Sequence, residues 1–329
     1  MKSKRSWGHL RVQGHGRGKL LLFGEHAAVH GYPALGVAMP WSTMVNLSVE
    51  GRDEWNLESV EPEDRPALSG LLKRMERLFP SIVRWGRGSV GIKSDVPRAV
   101  GFGSSAALCV ALVDAAASLP LDETEECSER DRWRWAHELE RQFHGTPSGI
   151  DTGLAVLGGM HLFWPHPPDL PDEKAIPAGG LCLIVGAVER TVDTKTLVGR
   201  LSERVRAGEK EVLERFRRLG QYAEEAAGIL ESGKDQCAEA VGVLADKAHK
   251  ELAALGLSTA ELELLLKAGR QAHALGGKLS GAGGGGAFFL VARDPESARG
   301  IAEKVSAEAR AHGIELQGPL VFTLEKQPA

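Results

Sequence analysis

Residues 144–159 read HGTPSGIDTGLAVLGG, which sets one acid, Asp151, among small residues, a proline and an apolar run. Two readings compete for it. An Asp that follows a Ser-Gly-Ile turn can cap a helix, or its carboxylate can be placed for chemistry. The stretch PRAVGFGSSAALCVALVDAAA (97–117) supplies a partner for the second reading. Gly101 and Gly103 admit backbone shapes closed to other residues, Ser104 or Ser105 can serve as N-cap, and the helix beyond them is small and apolar almost throughout. Such a helix starts somewhere buried. Its free N–H groups and positive dipole end suit phosphate, although the start of a capped core helix would look similar.

A second glycine segment, SGAGGGGAFFL (280–290), contains G-x-G-x-x-G at Gly281, Gly283 and Gly286. A dinucleotide fold requires a helix after that loop, whereas AFFLVA is apolar, aromatic and strand-like, so that fold is excluded. A turn needs one or two glycines; this many points to close approach of backbone to a ligand. The phosphate loop G-x-x-x-x-G-K-[ST] is absent, because GHGRGKL (14–20) has the wrong spacing and Leu20 in place of a hydroxyl. In GRGKLLLFGEHAAVHGYPAL (16–35), Lys19 precedes a buried strand and Glu25 and His26 follow it, as binding groups on a rigid scaffold or as a surface turn. In WRWAHELERQF (133–143), Ala136, Leu139 and Phe143 have the spacing of a core stripe, with Glu140 at its margin. A carboxylate there requires a cation, either a lysine or arginine or a metal bound to a nucleotide.

The elements that must hold these groups mix strands and helices. KLLLF (19–23), MVNLSV (44–49) and SVGIKS (89–94) read as strands, and 67–79 and 105–117 as helices. The proline-rich stretch 163–180 ends a first domain, 1–180; a second, 181–329, opens on LCLIVGAV (181–188) and continues through charged helices over 194–255 and 259–272. Both are α+β. With 329 residues and 43% apolar content, the chain can bury two cores. A net charge of −4 offers no general attraction to nucleic acid or to an anionic membrane, so an anionic ligand must be held locally. Cys109, Cys127, Cys182 and Cys237 are too scattered for a zinc site or a disulfide framework. MKSKRSWGHLRV is basic but lacks an apolar continuation, and no run is long enough to span a membrane, which together indicate a cytoplasmic protein.

Taken in order, GKLLLFGEHAAVHGYPAL, PRAVGFGSSAAL, HGTPSGID and KLSGAGGGGAFFL resemble the GHMP kinases, and among them the mevalonate kinase family, over nearly the whole chain. GEHAAVHG carries the distinction, since galactokinases have a GEHTDYNGG-like sequence there and phosphomevalonate kinases a GEYAVL-like one. The resemblance implies a two-domain α+β GHMP kinase fold with the active site in the inter-domain cleft. It implies transfer of the γ-phosphoryl of ATP, with Mg²⁺, to the primary hydroxyl of mevalonate, and it also suggests a homodimer. Position by position, it makes Lys19 and Asp151 the catalytic pair and Ser105 and Glu140 the metal ligands. Glu25, His26 and Thr194 become substrate-binding residues, His26 by donating to a carboxylate or hydroxyl as a neutral or cationic ring. Gly101, Gly103, Ser104, Ser105, Ala106, Gly281, Gly283 and Gly284 become ATP-binding positions. The chain departs from the family pattern at Arg17, Phe102 and Leu108, which leaves the acceptor pocket open to another small hydroxy acid or a sugar. A non-catalytic GHMP-fold binding protein is the alternative of a different class; retention of Lys19, Ser105, Glu140 and Asp151 together speaks against it.

Overall fold

The computed structural model describes residues 10–119, 127–145, 147–177, 180–192, 194–233 and 236–324. The basic N-terminal residues 1–9, Thr146 within HGTPSGID, and Asp193 lie outside the described residues. Two compact units emerge, and neither is continuous in sequence. The first comprises residues up to Lys19, Ala38–Val96 and Gly103–Gly158; the second comprises Leu20–Val37, Pro97–Phe102 and Gly159 onward. Strands β1 (Leu10–Phe23) and β2 (Ala34–Val49) each run through both.

In the first unit, Thr43–Leu47 of β2 pair antiparallel with β3 (Val90–Ser94). Helices α1 (Arg65–Leu78), α2 (Pro80–Trp85), α3 (Ser104–Ala117), α4 (Glu129–His144) and α5 (Ile150–Leu157) complete it. Val45, Leu47, Leu71, Met75, Leu112, Val113 and Leu139 belong to one core, around α3, which packs on both α4 and α5. The first half of β1 explains GHGRG in terms of packing. A Cβ on Gly14 would stand 2.2 Å from the Ala111 oxygen, and one on Gly16 2.1 Å from the Ala107 oxygen. The two glycines therefore form a groove for the Ala107, Ala111, Ala115 stripe of α3, with backbone on backbone.

The second unit contains a four-stranded antiparallel sheet in the order β7 (Gly276–Leu279), β8 (Gly286–Ala292), β6 (Cys182–Val188), β9 (Leu316–Thr323). β6 and β8 are buried along their whole length, which is why both read as unbroken apolar runs. Helices α6 (Thr194–Arg206), α7 (Lys210–Glu231), α8 (Cys237–Ala254), α9 (Ala260–Gln271) and α10 (Pro295–Ala311) belong to the same unit, where α8 packs on β7 and α10 on β9. The proline-rich stretch carries more structure than expected: β4 (Met160–Trp164) pairs with Ala34–Val37, and β5 (Asp172–Ala175) pairs with β4.

Candidate active site

In the first unit, Lys19 is 4% exposed, and its side chain runs over Gly103, where a Cβ would stand 2.7 Å from Lys19 Cγ. The path ends with Nζ 3.0 Å from Asp151 Oδ2. The Asp151 side chain is 30% exposed against 5% for Lys19, so a small molecule can reach the carboxylate while the ammonium stays beneath it. The helix-capping reading of Asp151 does not hold. Gly149, in a left-handed conformation, is the N-cap of α5, no side chain caps that helix, and Asp151 lies in its first turn. The Trp133 indole donates to the Gly149 oxygen at 2.9 Å and anchors the turn.

The start of α3 is likewise corrected. Its N-cap is Gly103 at φ 75, and neither Ser104 nor Ser105 caps it, so both hydroxyls sit in the first turn beside the N–H groups that a helix start leaves without an intrahelical partner. Ala106 follows, fully buried. Ser105 Oγ lies 3.3 Å from Nε2 of His144, one helical turn beyond Glu140 on α4, so the hydroxyl and Glu140 belong to facing sides of one helix pair. Glu140 is buried rather than marginal, and Phe143, expected in the core, is 37% exposed. Burial, and next the charge of Asp151, push the Glu140 carboxyl well above the usual range, with Lys19 pulling the other way. Its Oε2 has no hydrogen-bond partner among the described residues. A buried carboxylate oxygen left in this state fits a hard divalent cation.

The second unit holds Glu25, His26, Thr194 and the glycine segment. Glu25 Oε1 accepts a short hydrogen bond from Lys278 Nζ, and both side chains are fully buried. Nζ also donates to the Leu279 oxygen at 2.7 Å and lies over the rings of Phe289 and Phe23. Burial lowers the lysine's pKa and Glu25 raises it in return. His26 sits at φ 58, a left-handed conformation uncommon for a side-chain-bearing residue, and its Nε2 is 2.8 Å from the Ala282 oxygen. A carbonyl only accepts, so Nε2 carries the proton. The ring is neutral, its pKa lowered to about 4, chiefly by burial. Of the neutral and cationic rings expected, burial favours the neutral one, and Nδ1 is left as an acceptor. Thr194 opens α6, and its Oγ1 accepts from Arg190 Nη1 at 2.6 Å.

The glycine run has a partly different cause from the one expected. A Cβ on Gly283 would meet the Leu257 oxygen at 2.4 Å, and one on Gly285 the Glu189 oxygen at 2.1 Å. The protein's own backbone therefore requires these glycines; within 281–286 only Gly281 is more than slightly exposed. Gly101, also in this unit, would place a Cβ 2.9 Å from Arg190 Nη2. Arg190 and Lys278 escaped the sequence reading. The available signal for Lys278 was a lysine inside the buried strand GGKL, and for Arg190 a cation two residues beyond the apolar run of β6. Of the three departures from the family pattern, Phe102 is buried, Leu108 packs on the core of the first unit, and Arg17 reaches the Val156 oxygen at 3.5 Å.

Comparison with known proteins places the chain in a family. The pattern described as GHMP kinases N terminal domain matches residues 68–159, and that described as GHMP kinases C terminal matches residues 226–311. A mevalonate kinase from Thermococcus gammatolerans is 31% identical over 88% of this chain and 91% of its own length. The chain belongs to the GHMP kinases. Solved kinase structures share its fold at lower identity. The L. major mevalonate kinase in complex with R-mevalonate superposes with a TM-score of 0.77 at 23% identity, covering 99% of this chain and all of that one. The Lactococcus lactis galactokinase complexed with galactose gives 0.75 at 15%, covering 96% of this chain and 93% of that one. Scores this close mean that the GHMP kinase fold alone does not choose the acceptor. Among the described residues no helix is long and apolar enough to cross a membrane.

Proposed function

We propose that the protein transfers the γ-phosphoryl group of ATP to the primary hydroxyl of mevalonate, giving 5-phosphomevalonate and ADP. The observation that carries this reading is the Lys19–Asp151 pair, a buried ammonium 3.0 Å beneath a reachable carboxylate. Phosphoryl transfer asks the protein for position, charge neutralisation and a proton acceptor. The acceptor oxygen forms a bond to the γ-phosphorus, the bond from that phosphorus to the bridging oxygen breaks, and ADP leaves with the electron pair. The hydroxyl proton passes to Asp151. Lys19 favours the ionised carboxylate before transfer and stabilises the oxygen that is losing its proton. The start of α3, with Gly103, Ser104 and Ser105, receives phosphate oxygens.

Ser105 Oγ and the Glu140 carboxylate are the donors for Mg²⁺, which when bound neutralises charge on the phosphate oxygens; the partnerless Glu140 Oε2 supports that role. In the second unit, His26 Nδ1 accepts from a hydroxyl of the acceptor. Glu25, held by Lys278, fixes the strand end that carries His26. The mevalonate kinase relatives favour mevalonate over a sugar, and the retained catalytic pair favours turnover over simple binding. We also place the boundary between the two family domains near residue 180 and the protein in the cytoplasm. A coupled ADP-release assay tests the function, with mevalonate, galactose and shorter hydroxy acids offered at equal concentration. Mevalonate-dependent ADP release at least a hundredfold above the others is expected. Equal or greater turnover of galactose would refute the choice of acceptor, and no turnover of any acceptor would refute the kinase reading.

A further inference from the structure

We propose that Trp133 is a positioning residue for phosphoryl transfer: its indole N–H ties the turn that carries Asp151 to the helix that carries Glu140, and so fixes the proton acceptor relative to the metal carboxylate. This deepens the function proposed above and rests on it. Trp133 opens the stretch WRWAHELERQF and lies on α4 seven residues before Glu140. Seven residues are two helical turns, about 10 Å along the axis, and bring both side chains to one face. Both are buried, each at 1% exposed, so the indole touches no substrate and acts only through what it binds.

Its partner is the soft point of α5. Gly149, the N-cap, stands at φ 81, and glycine leaves the chain more backbone freedom than any other residue, so the turn by itself does not set the direction in which α5 departs. Asp151 follows two residues later and moves with that direction. The Gly149 oxygen accepts from the Gly153 N–H at 2.9 Å and from Thr152 Oγ1 at 3.1 Å, both within α5. Those bonds build the helix without placing it. The Trp133 indole, 2.9 Å from the same oxygen, is the one donor to it from another element among the described residues, and the bond is buried, where water does not compete.

The other holds on α5 are of a different kind. At its far end, Arg17 reaches the Val156 oxygen at 3.5 Å from an exposed side chain, a long bond open to solvent. Lys19 meets Asp151 itself at 3.0 Å, but an ammonium is a point charge on a flexible stem and receives a carboxylate from many directions. The indole N–H is rigid and directional. The distance it sets also matters electrostatically, because the charge of Asp151 registers at Glu140 and such interactions vary inversely with separation.

Steady-state kinetics of Trp133→Phe, alone and combined with Asp151→Asn, test the assignment, with ATP and mevalonate varied separately and folding checked by thermal melting. Phenylalanine keeps most of the buried ring and loses the N–H. Misplacing the proton acceptor by about 1 Å predicts a fall of about 10- to 100-fold in kcat, with both KM values within about threefold of wild type. Because Trp133 acts through Asp151, the same change made in the Asp151→Asn protein should lower kcat by no more than about twofold. If Trp133→Phe does not fold, 3-benzothienylalanine in place of Trp133, which matches indole in shape and carries sulfur where the N–H was, is measured instead with the same expectations. A kcat within about threefold of wild type in the folded variant overturns the proposal. So does an equal fall in both backgrounds, which is what a merely structural tryptophan would give. A wild-type protein inactive on mevalonate overturns instead the function on which the proposal rests.

Discussion

Replacing Asp151 by Asn separates catalysis from architecture at this site. The substitution keeps the size of the side chain and leaves an amide oxygen that can accept from Lys19 Nζ, now 3.0 Å from the carboxylate. What it removes is charge and proton affinity. Two unit charges at about 4 Å interact by about 4 kcal/mol at an effective dielectric near 20, but Asp151 is 30% exposed, so most of that attraction is screened. We expect a stability loss of about 1–2 kcal/mol, the scale of one weakened hydrogen bond to a charged group. The chemical step loses its proton acceptor, about a hundred- to ten-thousand-fold in kcat, or about 3–5 kcal/mol on the barrier. Glu140 supplies a third reading. Asp151 is the second cause, after burial, that pushes its carboxyl upward, so removing the aspartate charge eases ionisation of Glu140 and should leave the ATP and Mg²⁺ requirements unchanged or lower. The assay is kcat, both KM values and a thermal melt for wild type and Asp151→Asn side by side. Turnover within tenfold of wild type in the folded variant would refute the catalytic role of Asp151.

Further outcomes follow from the same charges. Glu140→Gln should raise the Mg²⁺ concentration for half-maximal turnover at least tenfold, measured at fixed ATP, while metal-free protein at neutral pH melts no lower than wild type, because a buried carboxyl pushed upward by burial no longer has to ionise. His26 has a folded pKa lowered from 6.5 to about 4, so the stability that its neutral form contributes is complete above 6.5 and lost as pH falls toward 4. The loss is at most about 3 kcal/mol, and His26→Gln should flatten the unfolding free energy against pH across that window. Lys278→Met leaves Glu25 buried without its cation and should destabilise by about 3–5 kcal/mol in denaturant titrations, with Glu25→Leu added to it recovering most of the loss.

The fold was legible in the sequence wherever burial is two-sided. LCLIVGAV and AFFLVA are covered on both faces, and both read directly as strands. β1 was legible only in its second half, KLLLF. Its first half, LRVQGHGRG, alternates between exposed and covered positions, but after Leu10 and Val12 the covered positions Gly14 and Gly16 are glycines chosen by the backbone of α3, so the apolar trace stops after two residues. β4 and β5 were hidden for a related reason. Prolines surround them, and Asp172–Ala175, at the edge of its sheet, is exposed along its length, so it carries no hydrophobic signature.

The site divides along a different line. Lys19 and Asp151 stood out as charges in glycine-rich, apolar stretches, Ser105 at a helix start entered through glycines, and Glu140 beside a core stripe, and the structure gives each a physical setting: an ion pair, an uncapped helix start, a carboxylate oxygen without a partner among the described residues. Glu25 and His26 stood out equally, yet their surroundings changed what they can do. Lys278 turns Glu25 from a reachable acid into one half of a buried pair, and Ala282 turns His26 from a donor into an acceptor. Lys278 lies 253 residues from its partner along the chain, and Ala282 lies 256 from its own, so neither pairing can be read from local spacing.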